Sequence, residues 1–137
     1  VELKRVFQCD KRTLFDAWSS PKVMAKWLFA GAEMEKPSTI VSSFTVGGSY
    51  ELTMHFPGGS VSMHGIYKHI NRYSDIHFSW TSPNAQDSLV ELSFREMSAN
   101  RTELKLKHSL FPSAQSRDEH ETGWTRCLLR LEGLLAA

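Results

Sequence analysis

The stretch HETGWTRCLLRLEGLL, residues 120–135, carries its largest apolar side chains at Trp124, Leu128, Leu131 and Leu135. These steps of three and four are helical, and the intervening Thr125, Arg126, Arg130 and Glu132 are polar. One stripe of the helix must therefore bury against a surface that the rest of the chain supplies. Ser116-Arg117-Asp118-Glu119 reads as a capping box that starts it. From there to Leu135 is about 19 residues, or roughly 28 Å, enough to cross a sheet. Four large stripe residues at about 1.5–3 kcal/mol each would dock it before entropy is subtracted.

The surface is legible in the preceding residues, where the apolar period falls from 3.6 to 2 at about residue 40 and stays there for about 70 residues. SYELTMHF, residues 49–56, sets Tyr50, Leu52, Met54 and Phe56 against Ser49, Glu51, Thr53 and His55. Pro57-Gly58-Gly59-Ser60 turns the chain into a strand at 61–70. The turn at 71–75 leads to Ile76, Phe78 and Trp80, and the break at Ser82-Pro83-Asn84 to Val90, Leu92 and Phe94. After Ser98-Ala99-Asn100, the last strand puts Leu104, Leu106 and His108 on one face. Short turns make neighbouring strands antiparallel, and a one-sided apolar face needs a cover. The C-terminal helix is that cover.

Ahead of the sheet, residues 2–8 form a first strand. Asp10 can cap a short helix through Leu14, Phe15 and Trp18, and Ser20-Pro21 starts a second with Val23, Met24 and Trp27 on its face. Repeats, low-complexity segments and a second domain are not discernible, so residues 1–137 read as one α+β domain.

Composition narrows the function. Sixteen basic and fifteen acidic residues give a net charge of +1, spread along the chain, which does not suit a phosphate backbone. No apolar run approaches the roughly 20 residues of a membrane span. Two cysteines, Cys9 and Cys127, are too few for a disulfide framework and wrongly spaced for zinc. Small buried hydrophobes in a reducing, cytoplasmic setting are expected, as monomer or homodimer, with no nucleic acid and no membrane partner. Val1 in place of an initiator Met leaves room for a trimmed N-terminus.

Strand, two short helices, antiparallel meander and long C-terminal helix is the order of the helix-grip fold. FDAWSSPKVMAKW at 15–27 resembles the opening signature of the family of activators of heat shock protein 90 ATPase, within the START-like SRPBCC superfamily. VGGSYEL at 46–52, HGIY at 64–67, IHFSW at 76–80, TELKLKHS at 102–109 and GWTRCLLRL at 123–131 follow in the expected order. Ser43-Phe44-Thr45 replaces the Asp-apolar-Arg triplet common in that family. Asn71-Arg72-Tyr73-Ser74-Asp75 replaces its proline-rich turn. The resemblance implies a curved antiparallel sheet of about six or seven strands around the C-terminal helix.

A sheet curled in that way gathers Tyr50, Leu52, Met54, Met63, Tyr67, Phe78, Trp80, Val90, Phe94, Leu104 and Leu106 on its inner face, with His69 and His108 as polar exceptions. With Trp27, Trp124 and Leu128 these residues would line a cavity for a small hydrophobic or aromatic ligand, held without cofactor or metal. The same side chains equally build a solid core. A chaperone-accessory role, with a heat-shock chaperone as partner, is the alternative that the resemblance implies. Nucleophile elbow, phosphate loop, zinc helix and spaced acidic pair are all missing, so no catalytic residue is assigned. An aromatase/cyclase-like activity would have to use His69, Tyr67 or His108. Gly123 is expected to let the helix approach the sheet beside Trp124.

Overall fold

The computed structural model describes residues 1–29 and 36–136. Strand β1 (Glu2–Phe7) leads into α1 (Lys11–Asp16) and α2 (Pro21–Trp27). Strands β2 (Lys36–Ser42), β3 (Ser49–Phe56), β4 (Gly59–Asn71), β5 (Asp75–Ser82), β6 (Ala85–Ser98) and β7 (Arg101–Ser109) follow, and α3 (Ala114–Leu135) closes the chain. The seven strands form one sheet in the order β1-β7-β6-β5-β4-β3-β2, with every neighbouring pair antiparallel. This is the curved sheet, helix pair and terminal helix of the helix-grip fold.

Local chemistry sets the short helices. The Asp10 carboxylate accepts from the Thr13 amide and the Ser20 hydroxyl from the Val23 amide, with Pro21 in the first turn. The start of α3 differs from the capping box anticipated at Ser116. Ser113 is the cap, accepting from the Ser116 amide, and Ser116 lies buried within the first turn. Its hydroxyl instead donates to the Asn84 carbonyl and fixes the start of the helix to the β5–β6 turn.

Pairing irregularities in β2–β3, β4–β5, β5–β6 and β6–β7 bend the sheet. The irregularity in β4 also corrects an assignment. Alternation puts His69 on the inner face with Tyr67, but the register slips between them. Lys68 and His69 are both exposed. His69 sits opposite His77 on the outer surface, ring centroids 4.9 Å apart, and Ile70 takes the inward position against Ile76.

Three of the four anticipated stripe residues, Trp124, Leu128 and Leu131, are within 1% of complete burial and are joined by Cys127, whereas Leu135 is only half-buried. The stripe meets Phe7, Leu52, Ile76, Trp80, Val90, Leu92, Leu104 and Leu106 from the strands and Leu14, Phe15, Trp18 and Trp27 from the short helices in one apolar cluster. Gly65 of β4 makes the closest approach. A Cβ there would overlap the Ser79 backbone carbonyl and come within 2.7 Å of the Tyr50 ring, while the Tyr50 hydroxyl donates to that same carbonyl at 2.6 Å. Gly65→Ala must push backbone aside, so a loss of at least about 2 kcal/mol is expected. Urea unfolding checks this, and an unchanged midpoint would contradict the packing.

Candidate functional site

The space beneath α3 is filled. The void enclosed by Trp18, Met24, Leu28, Tyr50, Tyr67, Phe78, Trp80 and Trp124 measures about 20 Å³, room for a single water-sized group and far below a ligand. Indole rings take up the volume: Trp18 lies 4.6 Å from Trp27 and 5.9 Å from Trp124, and Trp80 lies 5.3 Å from Trp124. Trp124, Leu128 and Leu131 thus cover packed side chains, not the ligand-sized cavity anticipated there. Trp27, Tyr50, Leu52, Tyr67, Phe78, Phe94, Leu106, Trp124 and Leu128 are all core residues. Phe94, for example, packs on Phe15 of α1 at 5.3 Å.

His108 is buried as anticipated, but protein groups hold both its ring nitrogens. The Trp124 indole N–H donates to Nδ1 at 3.0 Å, so in the neutral ring Nε2 carries the hydrogen. That hydrogen goes to the Ser88 hydroxyl at 2.7 Å, which itself donates to the Trp80 carbonyl at 2.6 Å. Burial, reinforced by the nearby His120 ring, pushes the imidazole pKa down to about 3. The phenols are similarly engaged: Tyr50 on Ser79, and Tyr67 with the Ser42 hydroxyl at 2.9 Å. Burial raises both their pKa values. Cys127 is pushed up to about 12 by burial and Cys9 is raised for the same reason, which keeps both thiols protonated and unreactive.

Ligand-sized room lies at the mouth of the grip. A cleft of about 400 Å³ runs between the β3–β4 hairpin and the first turns of α3, lined by Phe29, Met54, Val61, Met63, Trp80, Ser82, Pro83, Asn84, Glu119 and His120. Met54 and Val61 face each other across the hairpin, as do Leu52 and Met63. Alternation thus delivers a methionine- and valine-rich floor, a composition that adapts to irregular apolar shapes. Phe29 stacks 5.4 Å from Trp80 at one side. Its ring also occupies the space beside Gly123, where a Cβ would come within 2.7 Å of it. Gly123 therefore admits Phe29 from the loop after α2, and not the sheet. Wider hollows of about 470 and 510 Å³ border Leu110 and Phe111 but lack this floor.

The opposite wall is polar. His120 is 6% exposed, with Nδ1 against the Ser116 carbonyl at 2.7 Å and Nε2 3.2 Å from the Ser82 hydroxyl. Ser82 also donates to Asn84 Oδ1 at 2.9 Å, and the Asn84 amide donates to Glu119 at 2.9 Å. Of the residues anticipated for a site, Met54, Met63 and Trp80 meet here. His120 is not among those anticipated residues. The usable signal was the spacing Ser116, His120, Trp124, which places the histidine on the buried stripe.

Residues 8–136 match the family model described as Activator of Hsp90 ATPase homolog 1-like protein. The chain belongs to this family. Its fold recurs in solved structures, among them a protein from Chromobacterium violaceum at TM-score 0.83 and 21% identity, covering 100% of this chain and 96% of that one. An HSP90 activator from Plasmodium falciparum aligns at 0.80 and 22%, covering 99% and 95%. A protein from Rhodobacter sphaeroides aligns at 0.84 and 22%, covering 98% and 91%. Among curated proteins none matches the chain. No helix of the described residues is long and apolar enough to cross a membrane, and the described residues contain no group of three or more potential metal ligands.

The buried imidazole sets a pH dependence. An unfolded chain protonates His108 near its ordinary 6.5 and the folded chain near 3. The unfolded state therefore holds the extra proton between those values. The stabilisation this provides is complete above 6.5 and is lost as the pH falls toward 3. From about pH 7 to about pH 5 this one proton should remove about 2 kcal/mol of stability. In His108→Gln, which can keep both hydrogen bonds without titrating, that slope should flatten. Urea melts at the two pH values measure it, and equal slopes in both proteins would exclude His108 as the source.

Proposed function

We propose that this domain binds a small, mainly apolar molecule in the cleft at the mouth of the grip, without cofactor. The supporting observation is the cleft itself: about 400 Å³ bounded by Met54, Val61, Met63, Phe29 and Trp80, with a polar edge at Ser82, Asn84, Glu119 and His120. Apolar walls with few convergent polar groups are the usual makeup of small-molecule sites. The nearly filled interior leaves no ligand-sized room under α3, which favours this open end as the site. Glu119 on the rim disfavours anionic ligands there.

Val61→Trp would set an indole into the cleft from a half-buried position. Binding of the neutral apolar dye Nile red should weaken at least about tenfold while the melting temperature stays within a few degrees of wild type. Undiminished dye binding in a folded variant would defeat the assignment. Native mass spectrometry of gently purified protein would then supply the mass of any retained molecule.

A second reading rests on family membership. The family model is named for activation of the Hsp90 ATPase, and one structural neighbour is titled an HSP90 activator. A chaperone-accessory role requires the protein's outer surface and not its cleft. Under that reading, added protein accelerates Hsp90 ATP hydrolysis, and Val61→Trp does so equally well. No acceleration at molar excess would count against it.

A further inference from the structure

At Ser82 the polar edge of the cleft offers one hydroxyl hydrogen to two acceptors. A backbone carbonyl only accepts, so His120 Nδ1 carries the hydrogen that goes to Ser116, and in the neutral ring Nε2 is left as an acceptor. An ionised carboxylate also only accepts, so the Asn84 NH₂ faces Glu119 and its Oδ1 turns to Ser82. Two acceptors, His120 Nε2 at 3.2 Å and Asn84 Oδ1 at 2.9 Å, then converge on the single Ser82 hydroxyl hydrogen. Whichever one Ser82 serves, the other keeps a lone pair without a protein donor in this group. His120, Ser82 and Asn84 all line the cleft, so a ligand there sits beside the deficit.

We infer that the cleft selects molecules that donate a hydrogen bond, such as a hydroxyl on an apolar ring, over isosteres that only accept. The inference rests on the small-molecule reading of the cleft. It narrows the ligand class to neutral apolar compounds with one O–H or N–H directed at the His120, Ser82 and Asn84 group. A ligand lacking the donor leaves that lone pair unmet, and the unmet acceptor is where the discrimination arises.

Naphthol and its methyl ether separate the possibilities, because the ether is the more hydrophobic of the two and differs chiefly in lacking the donor. Their affinities can be read from NMR shift titrations of the full chain. The wild type should bind naphthol about tenfold more tightly, the size of one hydrogen bond. His120→Phe, which keeps an aromatic ring but removes the acceptor, should abolish the preference. Ser82→Ala frees both acceptors and should keep or widen it, which a merely structural disturbance would not do. Both probes binding wild type equally, with shifts at Val61 and Met63, would overturn donor selection and leave the cleft reading intact. Neither probe binding would overturn both.

Discussion

Trp124 enters the concave side of the sheet with its indole N–H committed to His108, and much of the molecule follows from that bond. The imidazole passes the polarity on through Ser88 to the Trp80 carbonyl, tying α3 to β7, β6 and β5 in one chain of hydrogen bonds. The ring nitrogens of Trp124 and His108 and the Ser88 hydroxyl are all used along it, while the buried Trp80 indole N–H has no partner among the described residues. The large rings of Trp18, Trp27 and Trp80 close around this anchor. A helix held at that distance by a tryptophan leaves almost no free volume beneath it.

Filling the centre has a consequence at the edge. Aromatic packing ends where the β3–β4 hairpin reaches past the first turns of α3, and the side chains there change from indoles to Met54, Val61 and Met63. The helix is fixed at this end by the Ser116 hydroxyl on the Asn84 carbonyl and by Asn84 on Glu119. The contacts that hold the helix start to the β5–β6 turn therefore also build the polar side of the cleft. Asn84 and Glu119 thus hold the helix start and line the cleft, and Phe29, seated against Gly123, closes the flank.

The placement of individual residues was legible to different degrees. Asp10 and Ser20 announced their helices because a capping side chain acts within three residues of itself. The inward faces of β3, β5, β6 and β7 followed from simple alternation. His69 did not, since the slip in β4 that turns it outward depends on pairing with β5 and leaves no mark in the local pattern. Ser116 looked like a cap from its spacing to Glu119. Ser113 takes that place because the Asn84 carbonyl, from a segment more than 30 residues away, claims the Ser116 hydroxyl.

By itself the sequence determined element types, the buried stripe of the last helix, the antiparallel meander and the family, because periodicity, caps and turns act over a few residues. Tertiary structure decided how much room remained between sheet and helix. That volume is a small difference between large summed side-chain volumes and a backbone separation set by Gly65, Trp124 and the sheet irregularities, contributed by elements far apart in the chain. Tertiary structure likewise decided that His120, and not His108 or His69, lines the cleft: Trp124 and Ser88 enclose His108 in the core, and the slip in β4 turns His69 to the outer surface.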